Sequence, residues 1–154
     1  MPIRTSEAEW VSDGGGGGCR FRPRSAAGAD NAFDFRSRMQ AGSGTSPEEL
    51  IGAAQAGCLS MALAARLTEA GFQRVRVKTT ARVHFAPKGG EWLIDRIDLT
   101  AEAAAPGLTE ARLESLAREA QAASPIAQAL GGVFIALEAQ LIPSVPAGGR
   151  HAHA

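Results

Sequence analysis

The chain has 154 residues, is 45% hydrophobic but only 5% aromatic, and carries 16 basic against 16 acidic side chains. One domain of this size buries a core without staples, and its two cysteines, Cys19 and Cys58, are too few for the framework of a small secreted protein. A reducing compartment is therefore expected, and zero net charge without clustered Lys or Arg excludes nucleic acid as an expected partner.

The opening MPIRTSEAEW lacks the basic segment and apolar stretch of an export signal. The most apolar window, residues 50–65, is interrupted by Gln55 and bracketed by Glu48, Glu49, Arg66 and Glu69, so it reads as falling short of a membrane span. A soluble, cytoplasmic protein with no membrane partner is expected. The 14 arginines against two lysines, Lys78 and Lys88, the missing Tyr and the abundant Ala and Gly read as compositional bias.

Two short strands are expected over residues 5–11 and 19–24, joined by the glycine run 14–18. That run suits a flexible hairpin connection and lacks the lysine and strand-to-helix setting of a phosphate loop. A third strand is expected over 31–39, with Phe33 and Phe35 on one face and Asp34 and Arg36 on the other, before Gly42 and Gly44 break the pattern.

The next helix is the most strongly specified element. Ser46 is a good N-cap, Pro47 fits the first helical position and Glu49 completes a capping box, which leaves Glu48 spare. Leu50, Ala54, Cys58, Ala62 and Ala65 recur at helical spacing, widened by Ile51 and Met61, and Gly71 is placed to end the helix. At 1.5 Å per residue it is roughly 35 Å long. Its small residues, Gly52, Ala53, Ala54, Ala56 and Gly57, permit close approach by a neighbour, so a central position is expected.

Val75, Val77, Thr79, Ala81, Val83 and Phe85 alternate with Arg74, Arg76, Lys78, Thr80, Arg82 and His84, the pattern of a half-buried antiparallel strand with a basic outer face. A turn over 87–90 leads to a return strand over 92–102, where Leu93, Ile97, Leu99 and Ala101 share one parity and Asp95 interrupts it. Pro106 and Gly107 precede a helix with inner positions Leu113, Leu116, Ala117 and Ala120. Ser124 and Pro125 look like the cap and first turn of a short helix ending at Gly131 and Gly132. Val133, Ile135, Leu137, Ala139 and Leu141 form the last strand, and residues 143–154 read as a disordered tail. This order of elements excludes a regular βαβ series and indicates an α+β class.

Metal chemistry has little support: there are three histidines, and His151 and His153 lie in the tail without cysteine or acidic companions. A hydrolase triad needs a histidine base, and His84 lies on the polar face of its strand, where it reads as an ordinary surface residue. Cys58, on the apolar face of an alanine-rich helix, reads from composition as a small buried hydrophobe. A nearby cation stabilising the thiolate, itself held by an acid, would make it reactive. Arginine suits that role because its planar fork can bond a carboxylate and still direct an N–H at sulfur or a peroxide oxygen. Arg36, Arg38 and the spare Glu48 are the available suppliers. Glu48 and Cys58 are roughly 15 Å apart along one helix, so cooperation needs a long arginine or another subunit.

The segment GTSPEELIGAAQAGCLSMAL, residues 44–63, with the helix end EAGF, resembles the osmotically inducible branch of the OsmC/Ohr family, the osmotically inducible and organic hydroperoxide resistance proteins. The similarity runs to Leu141. It implies an OsmC-like α+β fold of antiparallel sheets with a long central helix, an intertwined homodimer, and a peroxidase domain over 1–142 ahead of the tail 143–154. The implied activity is an antioxidant, stress-response one, the thiol-dependent reduction of organic hydroperoxides to alcohols. By this resemblance Cys58 matches the peroxidatic cysteine, Arg38 the strand arginine that polarises it, and Glu48 the carboxylate that pairs with the arginine. Leu50, Ala54 and Met61 are the expected wall for an alkyl chain, with Ser124 as a further substrate contact. No cofactor or metal is implied; the electrons come from an external thiol, small or protein-borne.

The sequence departs from the family at a second motif, a cysteine followed by proline, a branched apolar residue and serine. Here Ser124, Pro125, Ile126 and Ala127 stand in those places, so the resolving cysteine is missing. A sulfenic acid formed on Cys58 would have to be reduced by an external thiol, or by Cys19 if the fold brought it close. The leading expectation is a one-cysteine hydroperoxide reductase. The alternatives are a redox sensor oxidised once at Cys58, and a small-ligand-binding descendant in which Cys58 is inert.

Overall fold

In the computed structural model, which describes residues 3–12, 17–23, 39 and 45–144, eight elements follow one another. They are β1 (Ile3–Ser12), β2 (Gly17–Pro23), α1 (Pro47–Glu69), β3 (Arg76–Lys88), β4 (Glu91–Ala104), α2 (Glu110–Ala123), α3 (Pro125–Ala129) and β5 (Phe134–Leu141). The expected strand over 31–39, apart from Met39, and the tail from residue 145 lie outside the described residues.

The strands make one sheet in the order β2-β1-β3-β4-β5. The first four pair antiparallel: β1 with β2 and β3 with β4 through short connections, Ser12 opposite Gly17 closing the first hairpin, and β1 with β3 across the long connection that includes α1. The last pair differs from the antiparallel pattern expected: β5 runs parallel to β4. The reason lies in the connection, because the chain returns through α2 and α3 and so re-enters the sheet in the direction in which it left. The α+β class stands, with a mixed sheet.

The inner face of β3 is the one its alternation predicts, since Val75, Val77, Thr79, Ala81, Val83 and Phe85 are all buried. On β4 the parity shifts. The register passes from His84 opposite Arg96 to Phe85 opposite Ile94, leaving Asp95 as the extra residue of a bulge. Ile97, Leu99, Ala101 and Ala103 face the core beyond it. Before it Leu93 turns outward, 42% exposed, contrary to its expected inner place, while Trp92 packs on Phe85 with ring centroids 4.9 Å apart. The basic outer face of β3 is balanced by its neighbours: Glu9 pairs with Arg76 at 2.8 Å and Glu7 with Lys78 at 3.3 Å.

Ser46 caps α1 as expected, its hydroxyl accepting the Glu49 N–H at 3.3 Å. The reciprocal half of the capping box is redirected, because the Glu49 carboxylate accepts from the Thr45 hydroxyl at 2.9 Å. At the far end Gly71 takes φ 95°, and the N–H groups of Gly71 and Phe72 close onto the carbonyls of Thr68 and Leu67. This is the helix stop that glycine makes possible.

α1 lies against the sheet closely enough that a Cβ added at Gly52 would meet Val83 Cγ2 at 3.1 Å and Ser6 Oγ at 3.4 Å. Ser6 donates to the Glu49 carbonyl at 2.8 Å, and Ser60 donates to Thr79 Oγ1 at 2.8 Å, tying helix to strands. Leu113, Leu116, Ala117 and Ala120 of α2 complete the same core, as their spacing predicts.

The face of α1 that meets the sheet differs from the expected one. Gly52, Ala53, Ala56, Leu59, Leu63, Ala64 and Leu67 are buried, whereas Leu50, Ala54, Met61 and Ala65 are exposed. The helix is apolar on both sides, so periodicity alone could not choose between them. Despite Gln55 and the flanking charges, by length and composition it also passes as a membrane-crossing helix; half of its most apolar window is buried within the fold.

Candidate functional site

Cys58 sits near the middle of α1 at the seam between its buried and exposed faces, and is half-buried. Ser124 approaches it from the junction of α2 and α3. This serine ends one helix and caps the next, its hydroxyl accepting the Ala127 N–H at 3.2 Å, with Pro125 beginning α3 as the sequence predicts. The two short helical ends therefore fix Ser124 from both sides. Its side chain is fully buried, and Oγ lies 3.1 Å from Cys58 Sγ.

The expected site residues divide into three groups. Cys58 and Ser124, 66 positions apart in sequence, are brought into contact. Glu48 is buried at the first turn of α1, 2% exposed, at the opposite end of ten residues of helix from Cys58. Arg38 lies outside the described residues, as does Arg36. Leu50, Ala54 and Met61 share the outward side of the helix, Ala54 and Met61 about one turn to either side of Cys58 and Leu50 about two turns before it, with Met61 51% and Leu50 37% exposed. For Cys19, on β2, the backbone register places it opposite Trp10.

Two polar features went unread in the sequence. Gln55, one turn before Cys58, is fully buried with neither amide atom hydrogen-bonded among the described residues. Its only sequence signal is a polar residue within an apolar run. His84 is also more than a surface residue: its Nε2 lies 2.7 Å from Asp98 Oδ2, while Arg96 Nε donates to Asp98 Oδ1 at 2.6 Å. Burial pushes the Asp98 carboxyl up, but the bonds from His84 and Arg96 outweigh it and hold the group below its ordinary value. Arg96 also stacks over Phe134, 5.4 Å from the ring centre. This cluster decorates the sheet face opposite α1, away from Cys58.

The fold that carries Cys58 and Ser124 is one that known proteins share. The family model for OsmC-like proteins matches residues 40–138. The chain belongs to the OsmC-like family. Peroxiredoxin OsmC of Escherichia coli (strain K12) is 35% identical over 127 residues, covering 82% of this chain and 89% of that protein. Among solved structures, this OsmC-like fold resembles the organic hydroperoxide resistance protein OhrB of Bacillus subtilis, with a TM-score of 0.53 at 22% identity over 65% of this chain and 72% of that one. An organic hydroperoxide resistance protein OsmC from Legionella pneumophila aligns more fully, over 86% of this chain and 94% of that one, with a TM-score of 0.55 at 20% identity.

Proposed function

We propose that this OsmC-like chain is a peroxidase that reduces organic hydroperoxides with Cys58 as its one redox-active thiol. In the first step the Cys58 thiolate attacks the distal oxygen of the hydroperoxide. The O–O bond breaks, the proximal oxygen leaves with a proton as the alcohol, and sulfur, oxidised by two electrons, becomes a sulfenic acid. An external thiol then displaces water to form a mixed disulfide. A second external thiol releases Cys58 and carries the disulfide away.

Arg38, stabilising the thiolate and the breaking O–O bond, and Glu48, orienting that arginine, are the supporting residues in this reading. Leu50, Ala54 and Met61 form the apolar wall for the alkyl group, and Ser124 flanks the peroxide end. The exposed apolar side of α1 also supports a homodimer, since a contiguous apolar stripe on the helix that bears the reactive thiol gains by being covered. A reducing cytoplasm is the setting that such a thiol cycle requires.

The observation that carries the proposal is the serine hydroxyl 3.1 Å from Cys58, in the place where the family pattern puts a second thiol. A hydroxyl cannot accept the oxidised sulfur as a disulfide, so the cycle closes through an external reductant. Organic hydroperoxide consumption is therefore expected with small monothiols or dithiols and to vanish in Cys58→Ser. Absence of turnover across a panel of thiol reductants would reject a catalyst in favour of a sensor, if Cys58 is oxidised once, or of an inert descendant, if it is not.

A further inference from the structure

We propose that Ser124 is a positioning residue that donates its hydroxyl proton to Cys58 Sγ, replacing a redox partner by a fixed hydrogen-bond donor; the role rests on the peroxidase reading above. A serine has one proton to donate and lone pairs to accept with. On the accepting side Oγ takes the Ala127 N–H at 3.2 Å, the bond that starts α3. On the other side its partner is Cys58 Sγ, at 3.1 Å, within the reach of a bond to sulfur. With the cap occupying an acceptor site and Ser124 fully buried, the proton is directed at sulfur rather than at bulk water.

The backbone makes this donor rigid. Ser124 is at once the last turn of α2, its N–H bonded to the Gln121 carbonyl at 3.1 Å, and the cap of α3, with Pro125 locking the next φ. It therefore does not have to be ordered when the thiol ionises, and a donor to a charged acceptor is worth more than one to a neutral acceptor. When Sγ is oxidised, the same proton lies beside the new sulfenic oxygen. The serine can steady that oxygen but can form no bond to sulfur, which leaves the oxidised atom to the external thiol.

The test is the pH profile of Cys58 alkylation by iodoacetamide in the intact protein, alongside peroxide turnover. Ser124→Ala is expected to slow alkylation near neutral pH by about tenfold and to move the profile to higher pH, because the charged form loses its donor. Ser124→Thr, which keeps both the hydroxyl and the cap, should restore the wild-type profile. A cap lost for purely structural reasons would lower thermal stability without moving the profile, and superimposable profiles for S124A and wild type would overturn the proposal. A second measurement needs no folded S124A: the infrared S–H stretch of the wild-type thiol, assigned by its loss in C58S, is expected at the frequency of a non-donating thiol. A stretch lowered by S–H donation would reverse the direction of the bond and reject the role. Wild-type protein that turns over while its S124A profile is unmoved loses this inference alone, whereas wild-type protein inert with every thiol loses the peroxidase reading.

Discussion

The two sides of α1 have nearly the same hydrophobic composition and opposite fates. On the sheet side Gly52, Ala56, Leu59, Leu63 and Leu67 are buried against β1, β3 and α2, and each has a packing reason. On the other side Leu50, Ala54, Met61 and Ala65 are equally apolar and remain exposed in the single chain, with Cys58 at the boundary. Among the described residues, exposed apolar surface thus lies on the side of the helix that borders Cys58. One side holds the protein together, and the other is the side that the proposed alkyl site and the proposed homodimer would use.

Emptying the sheet side of α1 has the largest consequence. Leu63→Ala is expected to cost about 2–5 kcal/mol, read from denaturant unfolding, because Leu63 is fully buried and leaves a cavity. Peroxide turnover per folded molecule should survive at low temperature. A loss under about 1 kcal/mol would mean that the sheet side is not the core side.

A charge on the outward side tests the opposite expectation. Met61→Lys, at a half-exposed position, should leave the folded chain within about 0.5 kcal/mol in stability while shifting sedimentation toward monomer. An unchanged assembly would detach this side from the proposed homodimer. At the boundary itself, Ser124→Cys places a thiol where an oxygen now lies 3.1 Å from Sγ. One equivalent of hydroperoxide should then close a disulfide with Cys58, since a small rotation brings the two sulfurs to bonding distance. Two thiols still titratable after oxidation would show that the backbone around position 124 no longer suits a resolving thiol.

Sequence alone made one side of this comparison legible and misjudged the other. Ser46, Pro47 and Gly71 mark the ends of α1, and the strict alternation from Val75 to Phe85 marks the inner face of β3, because caps and period-two burial act locally. The side of α1 that meets the sheet was not legible. A helix apolar all round carries no periodic signal, and the deciding contact, Gly52 against Val83 and Ser6, joins residues distant in sequence. Leu93 was misplaced for a similar reason, since the bulge at Asp95 reverses the parity of a strand whose pattern is otherwise regular. In the candidate site, Cys58 and Ser124 were each visible as motif positions. Their contact depends on how α2 and α3 dock on α1, which the motifs do not encode.

The smallest expected effect lies on the far side of the sheet. The Asp98 carboxyl, held low by His84 and Arg96 despite burial that pushes it up, stabilises the folded chain above its unfolded value of 3.8, and that contribution is lost as pH falls through the lower folded value. Asp98→Asn should therefore cost at most about 1 kcal/mol at neutral pH, with the two proteins converging in acid. Turnover should be unchanged. A large loss of peroxide reduction in this variant would tie the outer sheet face to the chemistry at Cys58.

The central claim, one redox thiol resolved from outside, is tested most directly by intact-mass and peptide analysis after one equivalent of organic hydroperoxide without reductant. The predicted result is a single oxygen added per chain, trapped by dimedone on Cys58 and removed by a small thiol. A disulfide joining Cys19 to Cys58, or a chain that takes up no oxygen at Cys58, would contradict it.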